Sequence, residues 1–164
     1  MENLDEDLKY FGNVIIYGTK DNENMMDIIN KVTKKLSLAD IYNIEPSLRK
    51  ERWGNIKNFK FGPAIVYDLN SKRYDYGFKM QCYSDIPLID FCNNLATDKD
   101  LCVKYRYYCE DYQIAGETHC DADQVIVQKC INPNCEDFKK ILKKLDIKDE
   151  DVPTVISIND LKKN

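Results

Sequence analysis

At 164 residues, 43% of them hydrophobic and 32% charged, the chain fits a single domain with its own core, and its composition excludes wholesale disorder. The formal net charge of -4, with acids and bases mixed along the sequence, excludes the basic footprint that a dedicated duplex-DNA binder needs. No run reaches the apolar length of a membrane span, and the acidic opening MENLDEDLKY reads as neither a secretory signal nor a transit peptide. The expected location is the cytoplasm. There the seven cysteines, odd in number and irregular in spacing, fit free thiols rather than a disulfide framework.

Gly12 to Gly18 (GNVIIYG) is an apolar run between glycines and predicts a first, buried strand. Asp21 or Asn22 is placed to cap the helix that follows, in which Met25, Ile28, Ile29, Val32 and Leu36 recur at helical spacing. Lys31, Lys34 and Lys35 fall late in that helix, where cations suit its dipole. Residues 37–58 carry no clear period. Within them Arg49, Lys50, Arg52 and Lys57 gather around Trp53, the only tryptophan. An insertion of this length in a compact domain is often functional.

Gly62-Pro63 introduces AIVYDL, a second strand, and the turn-like Asn70-Ser71-Lys72 predicts a hairpin with Tyr74–Tyr83. Alternation there puts Tyr74, Tyr76, Phe78, Met80 and Cys82 on one face, and Asp75, Gly77, Lys79 and Gln81 on the other. Ser84 or Asp85 is the expected cap of the next helix, with Pro87 in its first turn and Leu88, Phe91, Cys92 and Leu95 as its buried stripe. Cys102–Cys109 returns as a strand, Val103, Tyr105, Tyr107 and Cys109 opposing Cys102, Lys104, Arg106 and Tyr108. Two short strands follow near Tyr112–Cys120 and Gln124–Lys129, joined by Asp121-Ala122-Asp123. Asn132-Pro133-Asn134 opens a last helix with Phe138, Ile141, Leu142 and Leu145 on one side and Lys139, Lys140, Lys143 and Lys144 on the other. After Pro153, TVISI reads as an edge strand.

The order β-α-β-β-α-β predicts an α+β fold of the ferredoxin-like, split βαβ kind: an antiparallel sheet with two helices on one face. The whole of 1–164 reads as one domain. Its core covers about 12–110, the appended hairpin and helix about 111–146, and a tail 147–164.

Three stretches carry a resemblance. They are the opening NVIIYGTKDNENMMDII, the Trp53-Gly54 step followed by Lys57, and the set Tyr107, Tyr108, Glu110, Ile114, Ala115 and Gly116. On these residues the chain resembles the Api-like ferredoxin-like domain family, small proteins of phages and plasmids, over roughly Asn13 to Lys129. It departs from that family in a Trp-Gly-to-Lys spacing longer by one, and in a Pro-rich segment reduced to Pro87. The resemblance implies a mobile-element protein that binds and disables a host factor, and it transfers no catalytic residue.

His119, Cys120, Cys130 and Cys135 are the only cluster of metal-ligand types, but no Cys-x-x-Cys is present and zinc needs four converging ligands. The expectation is scattered structural thiols. His119, the only histidine, cannot serve Cys120 as a base, because adjacent strand residues point to opposite faces. No other cysteine is placed beside it by the sequence, so it reads as an isolated polar side chain. The acid pairs Glu110-Asp111 and Asp121/Asp123 sit at turns, and no glycine-rich phosphate loop occurs.

Lys72, Arg73, Tyr74, Tyr76, Lys79, Lys104, Tyr105, Arg106, Tyr107 and Tyr108 interleave bases with aromatics, as in sheets that stack single-stranded RNA. Alternation puts most of those tyrosines beneath the helices. It leaves Lys79, Lys104, Arg106 and Tyr108 on the open face.

The reading is a non-enzymatic phage or mobile-element protein with no cofactor and no metal. Its expected partner is a host protein or ribonucleoprotein complex, such as a CRISPR effector, in the manner of an anti-CRISPR. The expected contact residues are Arg49, Lys50, Arg52, Trp53, Lys57, Lys104, Arg106 and Tyr108, with packing favoured for the Trp53 indole. The alternatives are a single-stranded RNA module using the sheet and a small metal-dependent enzyme.

Overall fold

The computed structural model describes residues 8–33, 46–68, 74–121, 125–130, 134–145 and 154–157. The apolar N-terminal run forms β1 (Tyr10–Gly18), the central strand of an antiparallel sheet, hydrogen-bonded to β3 (Tyr76–Ser84) on one side and β4 (Cys102–Cys109) on the other. Beyond β3 lie β2 (Asn58–Asp68) and β7 (Thr154–Ser157), and beyond β4 lie β5 (Ile114–Cys120) and β6 (Val125–Cys130). Among the described residues, seven strands therefore run in the order β6-β5-β4-β1-β3-β2-β7. With helices α1 (Glu23–Thr33), α2 (Arg49–Trp53), α3 (Ile89–Lys99) and α4 (Glu136–Lys144), the architecture is mixed α+β.

Alternation decides the two faces. Val14 and Ile16 of β1, Phe78, Met80 and Cys82 of β3, Phe59 and Phe61 of β2, and Val103, Tyr105 and Tyr107 of β4 share one core. Met25 and Ile28 of α1, Trp53 of α2, and Phe91, Cys92, Leu95 and Ala96 of α3 complete it. Asn22 caps α1 as the sequence predicts, its Oδ1 accepting from the backbone N–H of Asn24 at 2.9 Å and of Met25 at 3.2 Å. Its Nδ2 donates to Asp100 O, and that of Asn24 to Lys99 O, which ties the start of α1 to the end of α3. Val32 and Leu36, expected on the α1 stripe, and Lys34, Lys35, Lys72 and Arg73 lie outside the described side chains.

Three expectations change in the structure. β2 begins at Asn58 and absorbs Gly62-Pro63 in a register shift between Phe61 and Ala64, because a proline has no N–H for a ladder bond and is tolerated at a bulge. Neither Ser84 nor Asp85 caps α3, since Leu88 holds that position with no side-chain bond, and Pro87 precedes the cap instead of lying in the first turn. The Asp85 carboxylate instead accepts from the backbone N–H groups of Lys57 and Asn58 at 3.0–3.1 Å, donors that the entry to β2 would otherwise leave open. Ser84 Oγ donates to Ile86 O.

The appended hairpin extends the sheet edge rather than folding back over it. α4 then crosses to the face opposite α1 and α3. Its Phe138, Ile141 and Leu145 pack on Ala115 of β5, with Phe11 and Tyr108 partly buried against them. Cys135 caps α4, its Sγ accepting from Phe138 N at 3.3 Å. Asn132 and Pro133 lie outside the described residues. β7, from the predicted tail, pairs with the first residues of β2 as an edge strand. No helix among the described residues is long and apolar enough to cross a membrane.

Candidate functional site on the open sheet face

The face opposite α1 and α3 is built from the residues that alternate with the core, and strand register sets them in rows. Tyr83, Phe11, Tyr108 and Ala115 form one row. The next is Gln81, Asn13, Arg106 and Glu117, followed by Lys79, Ile15, Lys104 and His119. A last row holds Gly77, Tyr17 and Cys102.

α4 covers the first row. Tyr108 meets Phe138 edge-on at 5.8 Å and Phe11 at 5.5 Å. Tyr108, expected as a contact residue, is thus packed beneath a helix, because its ring supplies the apolar area that the stripe of α4 needs to bury.

The second row is polar across four strands. Arg106 Nε donates to Glu117 Oε2 at 3.1 Å, and both side chains are largely covered. Asn13 is fully buried (0% exposed), and neither its Oδ1 nor its Nδ2 has a hydrogen-bond partner. Gln81 Oε1 beside it is likewise buried without one. An unanswered buried amide costs about 1–3 kcal/mol, so such groups mark places where stability yields to another requirement.

The third row is cationic. Lys79 and Lys104 flank Ile15 on adjacent strands, and the Lys104 ammonium lies 5.7 Å from the Tyr17 ring centroid. Tyr17 in turn stacks on Tyr74 at 5.7 Å. In the last row Cys102 Sγ stands 3.2 Å from Nε2 of His119, diagonally across the β4–β5 pairing. The isolated histidine expected from the sequence is therefore paired with a thiol.

The basic Trp53 segment lies on the other side of the molecule. Trp53 is 1% exposed and sits between Phe59 and Phe91, at 6.0 and 5.4 Å. Arg49 is 4% exposed, with its guanidinium 5.1 Å from the indole centroid. It cannot be the exposed docking cation that its sequence context suggests, because stacking on the indole keeps it inside. Arg52 pairs with Asp98 at 3.5 Å, while Lys50 and Lys57 are exposed. Arg49, Lys50, Arg52, Trp53 and Lys57 thus belong to the helix layer, and Lys104 and Arg106 to the opposite face. One small contact cannot span both sets.

The residues weighed for a metal do not converge. Cys120 faces the core, its Sγ within 3.6 Å of the Cys92 and Val103 carbonyls, while His119 faces the other way. Cys130 pairs with Ala115 and His119 with Ile126, four residues apart on β6, a separation of about 13 Å. No group of three or more metal-ligating side chains occurs among the described residues. Asp111 takes up Lys9 at 3.5 Å on the exposed turn after β4. Asp123 lies outside the described residues.

Asn13, Gln81, Glu117 and Cys102 were not singled out by the sequence as site residues. The available signal was Asn13 itself, a polar residue inside an apolar central strand. Comparison with family models, with curated proteins and with solved structures finds no match.

Proposed function

We propose that this chain is a non-enzymatic binding protein of a phage or other mobile element, with a ferredoxin-like core, and that it docks a host macromolecule on the open sheet face. The strand order β4-β1-β3-β2, with a helix after β1 and another after β3, supports the split βαβ description. The observation that carries the binding role is the row Gln81, Asn13, Arg106 and Glu117, in which a fully buried amide is left unanswered beside the cations of Lys79 and Lys104. A sheet that served only as scaffold gains nothing from keeping that amide. The resemblance to Api-like domains supports a host defence factor, such as a CRISPR effector complex, as the partner.

The test is capture by the tagged chain from host lysate, run with Lys79→Glu/Lys104→Glu and with Lys50→Glu/Lys57→Glu as separate variants. Loss of the captured complex in the first pair and retention in the second is the expected result. The reverse would move the contact to the α2 segment and remove the sheet face from the account.

A second reading is favoured by Lys104 lying over Tyr17: single-stranded RNA on the same face, where bases stack on exposed rings and lysines meet the backbone. It requires capture that vanishes with RNase and binding that weakens steeply with salt. Capture that survives RNase excludes it.

A further inference from the structure

Six cysteines among the described residues have their environments defined, and one differs in kind. Cys82, Cys92, Cys109 and Cys120 are at most 1% exposed. Cys82, Cys92 and Cys120 belong to the helix-covered core or abut it, where burial raises their pKa values and holds the thiols protonated. Cys135 is half-buried and caps α4. Cys102 lies on the open face, is 6% exposed, and has an imidazole nitrogen 3.2 Å from its sulfur. A thiol with a base in hydrogen-bond reach is the arrangement that nucleophilic sulfur chemistry uses.

We infer that Cys102 is a modification site, a thiol activated by His119 that adds to soft carbon electrophiles of the α,β-unsaturated carbonyl class. In that addition the sulfur forms a bond to the β-carbon as Nε2 of His119 takes the thiol proton. The C=C π pair moves toward the carbonyl, and the α-carbon then recovers the proton, so no leaving group or redox partner is needed. Lys104, two residues along the same strand face, supplies the cation that meets the developing enolate oxygen. Tyr17, directly opposite Cys102 on β1, provides a flat apolar flank, and Gly77 beyond it adds no side chain to the row. Among the described residues, the charged and titratable groups near the thiol include Tyr17 from β1, Lys104 from β4, His119 and Cys120 from β5, and Asp121 just after β5. The assignment does not depend on which macromolecule the face docks.

The experiment is limited labelling of the full chain with N-ethylmaleimide at neutral pH, followed by peptide mapping in the mass spectrometer. The first adduct is expected on Cys102. In His119→Gln its rate is expected to fall on the order of tenfold or more, while the labelling of Cys135 stays unchanged and serves as the internal sign that the fold is intact. Lys104→Met, which leaves the imidazole in place, is expected to slow the same adduct to a smaller degree. A first adduct on any other cysteine, or a Cys102 rate indifferent to His119→Gln, overturns the assignment. If His119→Gln unfolds the chain, every buried cysteine labels, and the Lys104→Met rate then decides.

Discussion

Asn13 stands directly opposite Arg106 across the β1–β4 pairing, yet Arg106 turns its Nε toward Glu117 and leaves the amide unanswered. Replacing Asn13 with valine removes two buried polar atoms and suits a central strand. Stability should rise by about 1–2 kcal/mol, read as a higher urea midpoint with an unchanged slope. The same variant should capture less partner. A loss of stability would mean that the amide is answered in solution and carries no functional cost.

Trp53 is the only tryptophan, so intrinsic fluorescence reports on it alone. Its emission should be blue-shifted and protected from iodide. Trp53→Ala should cost about 3–5 kcal/mol, and Arg49→Ala about 1 kcal/mol through the lost stacking. Lys50→Ala should stay within about 0.5 kcal/mol of the parent. An iodide-accessible indole would contradict the packing at this end of the core.

Gly116 lies opposite Tyr107, whose ring crosses the place a Cβ would occupy. Gly116→Ala should therefore cost about 1–3 kcal/mol by overpacking. In a Tyr107→Leu background the same change should cost clearly less, since the obstructing ring is gone. Equal costs in the two backgrounds would show that the ring is not the obstacle.

Burial raises the pKa values of Cys82, Cys92 and the Tyr105 phenol, and pushes Cys120 up to about 12 from an ordinary thiol value of 9.0. Above pH 9 the unfolded chain releases thiol protons that the folded chain keeps, so stability falls as pH rises. For Cys120 the contribution is complete below pH 9 and is lost between 9 and 12, at up to about 1.4 kcal/mol per pH unit, and Cys82 and Cys92 act in the same direction above pH 9. Under reducing conditions the urea midpoint should be level from pH 6 to 8 and drop from 9 to 11. A level midpoint through pH 11 would mean that these thiols are not buried together.

Much of this fold is visible in local pattern. Alternation in Tyr76–Ser84 and Cys102–Cys109, and the three-four spacing around Met25 and Phe91, place the strands and the helical stripes. What local pattern lacks is register. Nothing near Cys102 in the chain announces His119, because a diagonal neighbour is defined only once Val103 is paired with Cys120. Asp85 looks like a helix cap for the same reason, since its true partners, the N–H groups of Lys57 and Asn58, are distant in sequence. Arg49 misleads in another way. Its neighbours are charged, but an arginine stem and guanidinium can lie flat on an indole, so the local run of bases does not fix its exposure. Alternation puts Tyr108 on the face away from α1 and α3, and α4, whose docking no strand pattern reveals, covers it there.

The central position of β1 also bears on how the chain is made. Its partners are Tyr76–Ser84 and Cys102–Tyr108, so β1 leaves the ribosome well before both of the strands that hydrogen-bond to it. At about 5–20 residues per second, the apolar segment Val14-Ile15-Ile16 waits for several seconds before either neighbour exists. During that wait its backbone and isoleucines are open to other nascent chains. Formation of the centre of the sheet then waits on long-range closure rather than on local structure.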